Sequence, residues 1–148
     1  MTIRYFVQYW LPVIFWMGII FWMSTGMFST DQTSRIIVPI LNDIFPWLTQ
    51  YQVGLIHELL RKTAHAAEYF ILGILFFYAF RGHTIQKWRL QWTLYAVIGV
   101  LLYAASDELH QIFVSSRTAS LADVGIDSAG AIFSLIAIIL WQKVMRGS

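Results

Sequence analysis

Apolar residues along this chain come in four long blocks set apart by short polar stretches. The first, Tyr5 to Phe28, is nearly continuous and follows Arg4. It is long enough to span a bilayer, for which about 20 residues suffice. Pro12 lies early in it, where a helix tolerates proline best. A cleaved signal peptide is the rival reading, but the block is long and aromatic for that role and no clear small-residue cleavage site follows, so a retained first span is expected. The second block runs from about Lys62 to Phe80, the third from about Trp92 to Ser106, and the fourth from about Asp123 to Trp141. Between the first two, Ser29 to Gln52 is more polar, yet Ile36, Ile37, Ile40, Leu41, Ile44, Phe45 and Leu48 recur at helical spacing. That pattern predicts a short amphipathic segment on the membrane surface or capping the bundle. A loop with a hydrophobic anchor is its plainer alternative. The expected fold is all-α: one polytopic membrane domain over residues 1–148, with four transmembrane helices and an interfacial segment between the first and second.

Composition agrees with a membrane protein. The chain is 58% hydrophobic and 12% charged, against about 45–50% and about 25% in soluble domains. There is no cysteine, hence no disulfide framework, thiolate nucleophile or cysteine metal site. A net charge of +2 with no basic stripe gives no reason to expect nucleic acid. Arg81, Lys87 and Arg89 share one short loop, and Arg4, Lys143 and Arg146 flank the two ends, all without acids beside them. The positive-inside rule then puts both termini and that loop in the cytoplasm of an inner-membrane protein. The acids fall on the other side or in the outer halves of the spans. Arg35, Arg61, Lys62 and Arg117 fall there too, against the rule, and three of them (Arg61, Lys62, Arg117) lie next to acids they could pair with.

The chemistry lies in polar residues that the spans accept. Lys62, His65 and Glu68 follow at intervals of three, a spacing that places them along one helical stripe. In lipid Glu68 would lie roughly 9 Å deeper than Lys62, where a carboxylate costs several kcal/mol unless paired or neutral. Four spans bring the outer ends of the second and third and the start of the fourth together. The expected cluster is Lys62, His65, Glu68, Asp107, Glu108, Gln111, Arg117, Asp123 and Asp127, with His110 beside it. Carboxyls sharing a low-dielectric pocket need a proton, a basic side chain or a metal between them. Taken singly, Lys62 reads as a snorkelling lysine, His65 as a packing histidine, and Asp107-Glu108 as the end of a span. As a whole, a polar network that only locks four helices together is the main rival to a site.

Two blocks carry a family likeness. The first is Lys62-x-x-His65-x-x-Glu68-Tyr69-x-x-Leu72-Gly73. The second is Ser106-Asp107-Glu108-x-His110-Gln111-x-Phe113, continuing through Arg117 and Asp123 to Asp127-x-x-Gly130. They resemble the VanZ-like family of small bacterial membrane proteins, whose namesake accompanies glycopeptide resistance and is linked to teicoplanin. Ser115-Ser116 departs from the Pro-Gly-like turn expected before the arginine. The resemblance implies a role in the cell envelope and in glycopeptide tolerance, with the nine cluster residues as the functional set. It brings no mechanism.

Three functions fit these residues. In the first, the cluster binds an anionic lipid head group or an envelope precursor such as a polyprenyl phosphate. Lys62 and Arg117 hold the phosphate, since a fork-shaped donor beside the Ser115 and Ser116 hydroxyls suits that group. In the second, a metal-assisted hydrolase or transferase acts on a lipid-linked substrate. His65, Glu68, Asp107, Asp123 and Asp127 would then supply oxygen and nitrogen ligands for a divalent ion, which would activate a water. No H-E-x-x-H motif supports it. In the third, Glu68 and Asp127 serve as proton sites of a carrier, which four spans without an internal repeat make harder to build from one chain.

Overall fold

The computed structural model describes residues 2–84, 88–113 and 121–147, without the side chains of 112, 121–123 and 143–147. Those residues are helical throughout, with short links. Helix α1 runs Ile3–Met23. Its residues Phe6–Trp10 form a π turn closed by the Leu11 N–H on the Phe6 carbonyl. Pro12 follows directly and has no N–H to give. A widened turn is one way a helix admits a proline ring that would otherwise meet the carbonyl four residues back. A single 3₁₀ turn, Gly26–Phe28, then leads to α2, Thr30–Ile44.

Helix α3 spans Gln50–Arg81, 32 residues, so it starts well before the expected Lys62. Its start is fixed by a reciprocal cap. The Thr49 N–H donates to Gln52 Oε1 at 2.9 Å, and the Gln52 N–H to Thr49 Oγ1 at 3.3 Å. The T-x-x-Q signature of such a cap stands in the sequence. A helix of that length reaches about 48 Å, well beyond a hydrocarbon core of about 30 Å, so about a third of it stands outside the lipid. Helices α4, Leu90–Ile112, and α5, Leu121–Gly147, complete the chain.

Among the described residues three helices are long and apolar enough to cross a membrane: Ile3–Met23, Gln50–Arg81 and Val124–Gln142. Helix α4 has 23 residues, enough length, but Gln91 and Thr93 at one end and Asp107 and Glu108 at the other dilute its apolar centre.

Helix α3 is the hub and packs against each of the others. Contacts fix the directions. The Tyr5 hydroxyl donates to the Ala79 carbonyl at 3.0 Å and the Trp16 indole to the Glu68 carbonyl at 2.9 Å, so α1 runs antiparallel to α3. The Phe77–Trp92 and Tyr69–Tyr103 ring contacts make α4 antiparallel as well. Ala66 meets Gly130, and Gly73 meets Ala131 and Ser134, so α5 runs parallel to α3. The N-terminal end of α1, the C-terminal ends of α3 and α5, and the start of α4 therefore share one face of the bundle.

The α3–α5 crossing is close because Gly73 and Gly130 carry no side chain there. A Cβ on Gly130 would run into the Ala66 backbone. Small residues of this kind let helix backbones approach in lipid, where no hydrophobic force drives helices together. Tyr69, Leu72, Phe77, Ala96, Val100, Ala104 and Ala131 form the buried interior, while Phe15, Leu102, Phe133 and Leu140 point outward. An apolar exterior around a tightly packed interior marks this as a multi-pass membrane protein.

Candidate functional site

The end of the bundle opposite the termini gathers the polar residues. Glu68, Asp107, Glu108, Gln111 and Asp127 are all buried there, Asp127 to 1% exposure. Successive turns of α4 stack Asp107 and Gln111, and the Gln111 amide donates to Asp107 Oδ2 at 3.1 Å. The Ser24 hydroxyl, at the end of α1, donates to the same oxygen at 2.6 Å. His65 Nδ1 stands 3.8 Å from Asp127 Oδ1, joining α3 to α5. Tyr69 is fully buried within electrostatic reach of Glu68, Asp107 and Asp127. Among the described residues, its hydroxyl and Asp107 Oδ1 make no hydrogen bond.

A cleft of about 90 Å³ opens beside this cluster. Arg61, Ala64, His65 and Glu68 form one wall, and Met23, Phe28 and Thr33 the other. One side is thus a charged stripe of α3, and the other comes from the end of α1, the 3₁₀ turn and α2. A cation, an imidazole and a carboxylate meet apolar side chains there. The arrangement can hold a group that is polar at one end and greasy at the other.

Not every expected residue lies in this cluster. Lys62 is about half exposed and pairs with Glu58, one turn back on its own helix. The reason is helical phase. At 3.6 residues per turn, a position seven before Glu68 lies about 20° from it, whereas one six before lies about 120° away. Arg61 therefore shares the face of His65 and Glu68, and Lys62 turns aside. Arg61 was legible by that period, although the regular spacing of Lys62, His65 and Glu68 draws attention first. Ser24 is visible in the sequence only as part of the polar Ser24-Thr25 end of the first span, and its contact with Asp107 is not, because it joins segments far apart in the chain. The backbone of Asp123 lies in the first turn of α5, but its side chain is outside the described residues, as is all of Arg117. His110 packs against Phe21 in a tilted arrangement with ring centroids 4.5 Å apart. Among the described residues no three His, Asp or Glu side chains come together as a metal-ligand set.

Comparison with curated proteins and with solved structures gives no match. The profile of the VanZ/LLP1 family matches residues 9–142, which takes in all the helices that build the cluster. Both blocks singled out in the sequence lie inside that match, and the chain belongs to the VanZ/LLP1 family.

Proposed function

We propose that this chain is a four-span inner-membrane protein with cytoplasmic termini, and that its buried polar end faces outward and binds an anionic head group. The ligand is a phosphate-bearing lipid or a lipid-linked envelope precursor of the polyprenyl phosphate kind, and the protein contributes to glycopeptide tolerance of the teicoplanin type. Helix α4 supplies the fourth crossing. Its length suffices, and its antiparallel packing on α3 calls for a crossing there. The orientation rests on the basic residues, because Arg4, Arg81 and Arg89 all sit at the end away from the acids.

The observation that carries the reading is the cleft. Arg61 and His65 line it beside Met23 and Phe28, so a phosphate can meet a guanidinium and an imidazole while its chains lie along apolar walls. Arg61 offers the fork of donors that suits phosphate oxygens. Asp127, 3.8 Å from the His65 ring, helps set that imidazole in place from beneath. Arg117 is a second phosphate ligand on this reading, and Lys62 is a peripheral charge. Removing a charged donor from a phosphate costs about 1.5–3 kcal/mol, or roughly ten- to hundredfold in affinity. Native mass spectrometry of protein purified from membranes is the test. Arg61→Ala and Arg117→Ala are expected to lose phosphate-bearing lipids that the unaltered chain retains. Equal retention by both variants overturns the proposal.

A second reading, that the polar groups only lock the helices, draws support from Asp107. Its Oδ2 accepts from Ser24 and Gln111 and so ties α1 to α4. On that reading Arg61→Ala leaves both lipid retention and glycopeptide susceptibility unchanged.

A further inference from the structure

Helix α2 has two unlike edges. On the inner edge Leu41 is buried, and Thr33, at the boundary between the two edges, lines the cleft. On the outer edge, Ile36, Ile40 and Ile44 are exposed one turn apart, and Phe45 and Trp47 continue the same apolar run. A row of three bare isoleucines is costly in water. The link back to the span Ile3–Met23 is only residues 24–29, so α2 is held at the bilayer surface. The occupant of its outer edge is therefore the outer leaflet at the level of the head groups, where an apolar edge of this kind sits.

Among the described residues, one part-buried side-chain contact ties the start of α2 to α3. Thr33 Oγ1 lies 3.0 Å from His57 Nε2 on α3, and His57 is buried. The Thr33 hydroxyl also reaches the Ser29 carbonyl at 3.0 Å. With its proton given to that carbonyl, the hydroxyl oxygen accepts from the imidazole N–H. A further tie, the Gln50 amide to Asn42 Oδ1 at 3.3 Å, lies at the exposed far end of the α2–α3 pair. Residues 45–49 join the two helices there. Residues 24–29 tie the Thr33 end to α1, so with the Thr33–His57 contact broken α2 tilts away from α3 only as far as these two short links allow.

We propose that α2 is a membrane-anchored lid, that the Thr33–His57 contact is its latch, and that opening it admits a phosphate-bearing amphiphile sideways from the outer leaflet into the Arg61 cleft. The identity of the guest rests on the head-group reading above, whereas the movement of α2 does not. Access from the leaflet favours a lipid-borne phosphate over free phosphate.

The absence of cysteine makes labelling clean. Spin labels on Ser34→Cys and Leu60→Cys, in nanodiscs of phosphatidylcholine with phosphatidylglycerol, report the α2–α3 distance by pulsed EPR. Thr33→Val removes the latch oxygen and nearly keeps the shape, and His57→Phe removes its partner. Both are expected to shift the distance distribution outward and to speed exchange of phosphatidylglycerol from the protein. An unchanged distribution in both variants overturns the lid. A label on Ile40→Cys is expected to meet oxygen more readily than a water-soluble nickel reagent, and the opposite order also overturns it. Arg61→Ala tells the two ideas apart: it should abolish phosphatidylglycerol retention and leave the distance distribution as it was. Should the unaltered chain retain no phosphatidylglycerol and no polyprenyl phosphate, while the latch variants still shift α2, the head-group reading falls and the lid stands. Inorganic phosphate displacing the lipid as well as a phosphatidylglycerol vesicle does would remove the sideways route.

Discussion

Asp107 and Asp127 show how differently two buried carboxylates can be held. Asp107 Oδ2 takes donors from Ser24 and Gln111, so loss of either is felt directly. Ser24→Ala should lower stability by about 1–3 kcal/mol, the usual cost when a buried acceptor loses a donor. Thermal unfolding in detergent checks this, and a midpoint equal to that of the unaltered chain would sink it. Asp127 has His65 at 3.8 Å, a contact whose value depends on both partners. His65→Ala should therefore cost more in the unaltered chain than in an Asp127→Asn background, with a coupling of about 1 kcal/mol in a double-mutant cycle. Additive effects would mean that the two groups do not sense each other. Lys62 lies outside this logic. It is exposed and paired with Glu58, and exposed pairs of this kind contribute little. Lys62→Ala should leave lipid retention and unfolding nearly unchanged, while Arg61→Ala changes retention.

At the scale of elements, the glycines of α3 and α5 set how near the polar residues can come. Gly130 faces the Ala66 carbonyl, and Gly73 faces Ser134 and the Ala131 backbone, whereas Gly125 has open space. A methyl group on Gly130 meets rigid backbone, while one on Gly73 first meets a serine hydroxyl that can turn away. The predicted order of destabilisation is therefore Gly130→Ala, then Gly73→Ala, then Gly125→Ala. Overpacking costs about 1–3 kcal/mol at the first site. At the last, alanine's better helix propensity makes the change neutral or slightly favourable. Circular dichroism melting of the three variants tests the order. If Gly125→Ala proved the worst, the α3–α5 crossing would be misplaced. Since His65 and Asp127 lie one turn from this crossing, Gly130→Ala should also loosen their pairing.

For the whole molecule, the up-and-down course of α1, α3, α4 and α5 puts Arg4, Arg81 and Arg89 at the end away from the buried acids. Tyr5 meets Ala79, and Tyr9 meets His83 at 3.1 Å, so the start of the chain and the α3–α4 link share a face. Residues 83 and 25 should then be reached from opposite sides of the membrane. Single cysteines at His83 and Thr25, treated with a thiol reagent that cannot cross the inner membrane, test the arrangement. Labelling of Thr25→Cys alone in intact spheroplasts is expected, and labelling of both from the same side would remove the four-span reading. Deleting the protein from its host, or replacing it with Arg61→Ala, should lower tolerance to teicoplanin-like glycopeptides to a similar extent.

The sequence by itself determined the all-helical membrane character, the amphipathic stretch that became α2, and the family. Each depends on which side chains recur at what interval, which is a local property of the chain. It also held the phase that puts Arg61 with His65 and Glu68, because a helix of 3.6 residues per turn leaves no freedom there. Only the tertiary structure decided that Ser24 completes the setting of Asp107, that Tyr69 lies among the acids, and that Thr33 closes the cleft from α2. Those contacts join α1, α2, α3 and α4 across long separations in sequence. They follow from how the helices cross one another in three dimensions, a property that no window along the chain contains.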